Sequence, residues 1–589
     1  MSRISFTTLY HLVIRHKSKL IRANLIALVT TLVSIPIPLL IPLLVDEVLL
    51  EKPAFLLDNI NQYLGEYTAI GYIVITLIAT LLLRFSYLIT SIFAHYTFSE
   101  IAQDVSFSLR KKILLHLQKV SMDEYETLGS GSVSSKLVSD MQTVESFIGS
   151  ALSRAIVSVL TLIGVAAVLL FIDWRLGALI LILQPAVILV TQIISRRVAR
   201  HKKDENKSIA KFQNSLIETL DLFGQIKASS KEKFFIKQSI NDAKTLRYDT
   251  ERFSKKSFAA ERFSFTLFLS VFELFRALGL LMVAYSALSI GLMFAVFGYL
   301  WFMMTPVQDL IALQYAYANA KGALERLNNL LELKTEQDMS EGDNPFESFE
   351  SASIEAKNLT FSYNENAHVL KDISFKVKAG SHVAFIGASG SGKTTLAKLL
   401  SAFYPLDGGR LLFNDVELTK IGLQTLRQNL FVVLQQPVLF NDSLRFNLTM
   451  GDDFTDKQIK NALNLAQLKS FIENLPNGLD SVVGKNGVRL SGGQKQRLSI
   501  ARMILTDPKI VIFDESTSAL DVHTESNLFS AIEEFLHKRT VIVIAHRLST
   551  VQSADYIYVM SDGKIVEEGS PLKLLENEGH YSKFVTAQH

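Results

Sequence analysis

Six stretches, at 25–45, 69–94, 155–172, 176–194, 263–288 and 291–307, are long, apolar and nearly free of charge, and they restrict the fold more than anything else in the chain. A bilayer's hydrocarbon core is about 30 Å thick, so roughly 20 apolar residues cross it as a helix. No water is available there to satisfy backbone N–H and C=O groups, and a helix satisfies them internally. Pro36, Pro38 and Pro42 fall inside the first stretch and predict a kink, tolerated where neighbouring helices serve the freed carbonyls. The connection 46–67 is mostly acidic, whereas 196–256 is dense in lysine and arginine. That asymmetry places the N-terminus on the cytoplasmic side, and six spans return the chain to it.

The connections are unequal. Asp173-Trp174-Arg175 and Ser289-Ile290 are tight outer turns, while 95–154 and 195–262 are long, polar and helical, so their helices project beyond the bilayer. Residues 1–22 carry Arg3, Arg15, Lys17, Lys19 and Arg22 with no acidic residue, and Phe6, Leu9, Tyr10, Val13 and Ile14 give a crude apolar face. A transit peptide is the rival reading. A short helix on the cytoplasmic membrane surface is preferred, because a span follows directly.

At 589 residues the chain exceeds one domain. A net charge of +3 argues against a nucleic-acid binder, and 49% hydrophobic residues place it among membrane-bearing chains. With Cys 0, neither a disulfide nor a cysteine-ligated metal is available.

Gly387-Ala388-Ser389-Gly390-Ser391-Gly392-Lys393-Thr394 fits G-x-x-x-x-G-K-[ST] at every position. The apolar run Val383-Ala384-Phe385-Ile386 enters it and a helical pattern leaves it, which is the setting a phosphate-cradling loop needs. Glycines let the backbone wrap a polyphosphate, Lys393 adds a charge, and the Thr394 hydroxyl can ligate Mg²⁺. A chance glycine-rich turn is the bland alternative; strand, loop, helix and downstream motifs agree against it. Ile510-Val511-Ile512-Phe513-Asp514-Glu515 reads as a buried parallel strand ending in two carboxylates. Asp514 would hold Mg²⁺ through water, and Glu515 can orient or deprotonate an attacking water. Leu490-Ser491-Gly492-Gly493-Gln494 then places a serine and glycines at a helix N-terminus.

This last segment resembles the signature of the ABC ATPases, and other matches follow in family order. Tyr363 in Phe361-Ser362-Tyr363 resembles the adenine-stacking aromatic residue. Gln435 in Leu434-Gln435-Gln436-Pro437 resembles the glutamine on the γ-phosphate side, which the family makes both a catalytic and a Mg²⁺ residue. Ser518-Ala519-Leu520-Asp521 looks like the loop between paired sites, and His546 in Ala545-His546-Arg547 like the switch histidine. The resemblance implies an ATP site of Tyr363, Gly387, Ser389, Gly390, Gly392, Lys393, Thr394 and Thr395. It adds Ser491, Gly492, Gly493 and Gln494 from a second copy, with Thr394, Gln435 and Asp514 around Mg²⁺ and Glu515, His546 and Gln435 in catalysis.

It also implies a multidomain membrane protein. An all-α six-helix transmembrane domain with long intracellular helical extensions occupies 1–335, a polar, acidic linker 336–353, and an α/β P-loop ABC ATPase domain 354–589. Gly131 to Asp140 resembles the first intracellular helix-turn of ABC exporters, and Glu218, Gly224, Ile226, Lys227 and Glu232 the second; plain helical hairpins are the alternative. Lys485 stands where such exporters often have an acidic residue.

The whole resembles a half-transporter that binds ATP and Mg²⁺, pairs with a second copy of itself, contacts membrane lipid and moves an amphipathic substrate. The bacterial inner membrane is the expected location, with N-terminus and ATPase cytoplasmic. A regulator or gated channel is the rival for the membrane domain; the apolar spans oppose a soluble DNA-repair or translation ATPase. Charges at membrane depth usually face a cavity. Arg84, Arg154, Asp309 and the pair Glu273 and Arg276 are therefore the candidate chamber residues. Phe265, Phe268, Phe272, Phe275, Phe294, Phe297 and Trp301 form either an aromatic wall or ordinary packing. An amphiphile with an anionic head is expected, and a cationic drug attracted by Glu273 and Asp309 is the alternative.

Overall fold

The computed structural model describes residues 3–51, 61–62, 67–285, 288–336, 342–363, 368–484, 487–514, 520–545, 551–577 and 579–588. Glu515, Ser518, Ala519, His546, Arg547 and Lys485 lie outside them. The chain divides into two compact units, one of residues 1–118 and 129–332, the other of 119–128 and 333–589.

Helices are the regular elements of the first unit among its described residues. Three helices dominate it: Ala69–Leu117 with 49 residues, Trp174–Asp221 with 48 and Glu232–Ala284 with 53. At 1.5 Å per residue the shortest runs about 70 Å, more than twice the thickness of a bilayer core. Their apolar halves and their polar halves therefore answer to different solvents. On Ala69–Leu117, Ile70 is 74% exposed and Leu82, Phe85 and Phe93 are exposed beside it, as suits a lipid-facing wall.

The expected kink in the first span is present. Helix Lys17–Ser34 stops before Pro36, a 3₁₀ turn Ile37–Leu39 follows, and π-helical Leu43–Leu49 completes the run. The Ile35 carbonyl freed by this break accepts from the Tyr299 hydroxyl at 2.6 Å. At the end of the run the buried Asp46 accepts from Ser289 Oγ at 2.5 Å and from Gly291 N at 3.0 Å. It thereby satisfies the Gly291 N–H at the start of the last membrane helix, Ile290–Phe302, and holds its N-cap Ser289. Helix Met304–Leu331 continues from that one. It is tied to the intracellular turn by Arg326, which donates to both oxygens of Asp140 at 2.6–3.0 Å.

The second unit contains two main sheets. A four-stranded antiparallel sheet runs Leu370–Val377, Ile354–Phe361, Gly408–Phe413, Val416–Glu417. A six-stranded sheet runs Lys564–Gly569, Tyr556–Ser561, His382–Gly387, Thr540–Ile544, Ile510–Asp514, Leu430–Val433, parallel in every pairing except the first. Strands buried on both faces read as unbroken apolar runs; Val383 to Ile386 and Ile510 to Phe513 are all at most 1% exposed.

Candidate functional site

Parallel strands deliver their carboxyl ends to one edge, and ligands of open α/β sheets bind outside that edge. Register fixes which residues meet there: Ile544 pairs with both Phe385 and Asp514, and Val433 with Phe513. Gly387 closes its strand two residues after Phe385, and Gln435 follows Val433 by two. The phosphate loop, Asp514, Gln435 and the segment leading to His546 are therefore neighbours because the sheet is parallel.

The loop itself is set by backbone conformations that side chains resist. Gly392 has φ +99, and Gly387 has φ +150 with the Met560 carbonyl where a Cβ would stand. Helix Lys393–Leu400 starts directly after Gly392, its N-cap, so its unpaired N–H groups and positive dipole end face the loop. Lys393 is buried and folds back to donate from Nζ to the carbonyls of Gly387 and Ala388, both at 2.9 Å. Thr394 Oγ1 donates to Asp514 Oδ1 at 3.2 Å. A hydroxyl and a carboxylate in contact at a phosphate loop are hard oxygen donors that suit Mg²⁺. Tyr363, 45% exposed, presents its ring, and its hydroxyl lies 3.2 Å from Thr395 Oγ1.

Ser491 is the N-cap of helix Gly492–Thr506 in a capping box: Gln494 N donates to Ser491 Oγ at 3.2 Å, and Ser491 N to Gln494 Oε1 at 2.8 Å. Among the described residues no hydrogen bond joins 491–494 to the loop 387–395. What reaches the signature helix is the Gln435 segment, through Gln496 Nε2 donating to the Gln435 carbonyl at 3.2 Å.

In the membrane unit a cavity of about 930 Å³ is lined by Arg84, Arg154 and Asp309, together with Tyr87, His95 and Ser158. Asp309 accepts from Ser158 Oγ at 2.9 Å and lies 3.8 Å from Arg154 Nη1. Arg84 lies in no ion pair among the described residues, so a full positive charge stands at the wall. Glu273 and Arg276 are not among the lining residues and pair with each other at 2.5 Å. Of the rings, Trp301 lines the cavity, whereas Phe275 is buried and Phe272, Phe294 and Phe297 pack edge-on or tilted against one another. Tyr87 and His95 escaped the sequence reading, although 80, 84, 87, 91 and 95 keep helical spacing on one face.

The family described as "ABC transporter" matches residues 370–518, and "ABC transporter transmembrane region" matches 23–307. A protein named "ATP-dependent lipid A-core flippase" from Legionella pneumophila (strain Lens) is 32% identical over 509 residues, 84% of each chain. The "Multidrug resistance ABC transporter ATP-binding and permease protein" of Lactococcus lactis subsp. lactis (strain IL1403) is 32% identical over 495 residues, 82% of each chain. Among solved structures, a bacterial Atm1-family ABC exporter with ATP bound superposes with a TM-score of 0.83 at 26% identity, covering 97% of this chain and 98% of that one.

Proposed function

Because the chain belongs to the ABC transporters, as an exporter-type integral membrane protein that couples ATP hydrolysis to transport, we propose that it works as a homodimer moving an amphiphile with an anionic head. The N-terminus and ATPase domain face the cytoplasm, in a bacterial inner membrane, with 1–335 as membrane domain and 354–589 as ATPase. In such a homodimer the signature 491–494, which forms no hydrogen bond with the phosphate loop 387–395 among the described residues, completes the loop of the partner. The half-transporter build, one membrane region and one ATPase region, is typical of dimers in this family.

In each site Tyr363 stacks on adenine, and the backbone of 387–392 with Lys393 receives the phosphates. Thr394, Asp514 and Gln435 would hold Mg²⁺, which offsets phosphate charge when bound. Glu515 orients and deprotonates the attacking water, and His546 fixes the far side of the γ-phosphate.

The observation that carries the substrate reading is Arg84, in no ion pair among the described residues, beside the paired Arg154 and Asp309 in one cavity. The relatives named for lipid A-core support an anionic lipid. The test is ATPase stimulation in nanodiscs across anionic lipids and cationic dyes, with Arg84→Ala. Anionic amphiphiles should stimulate, and Arg84→Ala should strongly reduce their effect. Stimulation by dyes alone would transfer the role to Asp309 and overturn the anionic reading.

A further inference from the structure

Helix Met122–Leu128 groups with the ATPase unit, although the chain on either side of it, up to Gln118 and from Gly129, belongs to the membrane unit. Its Glu126 carboxylate is held at both oxygens by ATPase residues. Oε2 accepts from the Tyr404 hydroxyl at 2.6 Å, and Oε1 from Lys398 Nζ at 3.0 Å. Both partners stand against Tyr363. The Tyr404 ring meets it edge-on with centroids 5.4 Å apart, and the Lys398 ammonium lies 5.8 Å from its centroid and 5.4 Å from that of Tyr404. Phe361 closes the group, at 5.0 Å from Tyr363 and 5.5 Å from Tyr404. Tyr404 is only 5% exposed, so it is the wedge and Tyr363 the open platform.

We propose that Glu126 and Tyr404 are positioning residues for Tyr363. The carboxylate clamps the Tyr404 ring and the Lys398 ammonium, these fix the tilt of the Tyr363 ring, and the platform for adenine is set only while helix Met122–Leu128 is seated. The membrane-domain chain thereby acts on nucleotide affinity. Among the described residues Glu126 makes no hydrogen bond or ion pair with the phosphate loop 387–394, so the chemical step is left alone. The clamp is chemically robust near neutrality. The Tyr404 hydrogen bond, then Lys398, holds the Glu126 carboxyl below its ordinary range, and burial, then Glu126, pushes the Tyr404 phenol up. Acceptor stays charged and donor stays protonated; the contact is lost as pH falls through the lowered carboxyl value or rises through the raised phenol value.

The inference rests on Tyr363 as the adenine platform, so Tyr363→Ala belongs in the experiment. Full-length protein in nanodiscs is assayed for ATP turnover as Glu126→Gln, Tyr404→Phe, Tyr363→Ala and the Glu126→Gln/Tyr363→Ala pair, with Tm followed to show that each variant is folded. Inhibition by tripolyphosphate, which has phosphates and no base, is measured alongside. Glu126→Gln and Tyr404→Phe should each raise KM for ATP about 3- to 10-fold, the scale of one lost charge-assisted hydrogen bond. Turnover at saturation and tripolyphosphate inhibition should stay within about twofold, as for a purely ground-state effect. In the Tyr363→Ala background, Glu126→Gln should add nothing. An effect that persists there, or that extends equally to tripolyphosphate, overturns the positioning role while leaving the platform intact. An unchanged KM in Tyr363→Ala itself removes the platform and the inference with it.

Discussion

The phosphate loop and the membrane cavity are both lined by charged side chains, yet they are built in opposite ways. The loop is eight consecutive residues whose geometry is written in the backbone: a strand end, three glycines of positive φ and a helix start. The cavity gathers Arg84, Arg154 and Asp309 from three helices far apart in sequence, and no local pattern states that they meet. A site made from backbone is rigid and selects one ligand chemistry. A site made from side chains on separate helices can be retuned by single substitutions, as a transporter fold serving many substrates requires.

The largest effect that sharpens this contrast is expected at Glu515. Glu515→Gln should lower ATP turnover about 10²–10⁴-fold, the range for a positioned general base, while nucleotide binding to the purified protein persists. Near-normal turnover would reassign the base.

Next in size is the loop itself. A Cβ at Gly387 would overlap the Met560 carbonyl at a φ that side chains rarely adopt. Gly387→Ala should weaken ATP binding by about tenfold or more and lower Tm by several degrees, as one strained backbone site of 1–3 kcal/mol does. Wild-type affinity in a calorimetric titration would show that the loop is not built from backbone strain.

The cavity should respond more gently. Arg84→Ala should reduce stimulation of ATPase by anionic amphiphiles about 5- to 20-fold, and Asp309→Asn should increase it by releasing Arg154, each reflecting one charge contact of about 1–2 kcal/mol. Opposite signs at two residues of one cavity are the signature to look for; equal losses would mean simple unpacking. The smallest effect is expected at Glu273. Its pair with Arg276 is half exposed, so Glu273→Ala should leave stability and basal ATPase within about twofold, as for an ordinary surface ion pair. A large loss of dye stimulation there would put the substrate site elsewhere.

The same contrast governs what could be read from the sequence. The apolar spans, the proline break and the phosphate loop were legible because each depends on neighbours within one stretch. Tyr363 was found by its place in a family order, and the structure adds its hydrogen-bonding distance to Thr395. Glu273 and Arg276 show the limit: spacing of three puts them on one face of a helix, but which way that face turns is decided by packing against other helices. Arg84, Arg154 and Asp309 were grouped by depth and are found in one cavity, whereas Tyr87 and His95 are polar enough to be passed over when only full charges are counted. Glu126 was illegible, because nothing near it in sequence announces Tyr404, 278 residues away.

Asp46 gives the assembly of this protein a timetable. Its two partners, Ser289 and Gly291, lie 243 and 245 residues downstream, and the Ile35 carbonyl waits for Tyr299 over 264 residues. At roughly 5–20 residues per second of synthesis, the segment that holds Asp46 and the Ile35 carbonyl is made about 10–50 s before the helix that supplies these partners. Until then that segment has to remain against water or an insertion factor, and the final membrane helix acts as the closing stitch of translation rather than as one more crossing.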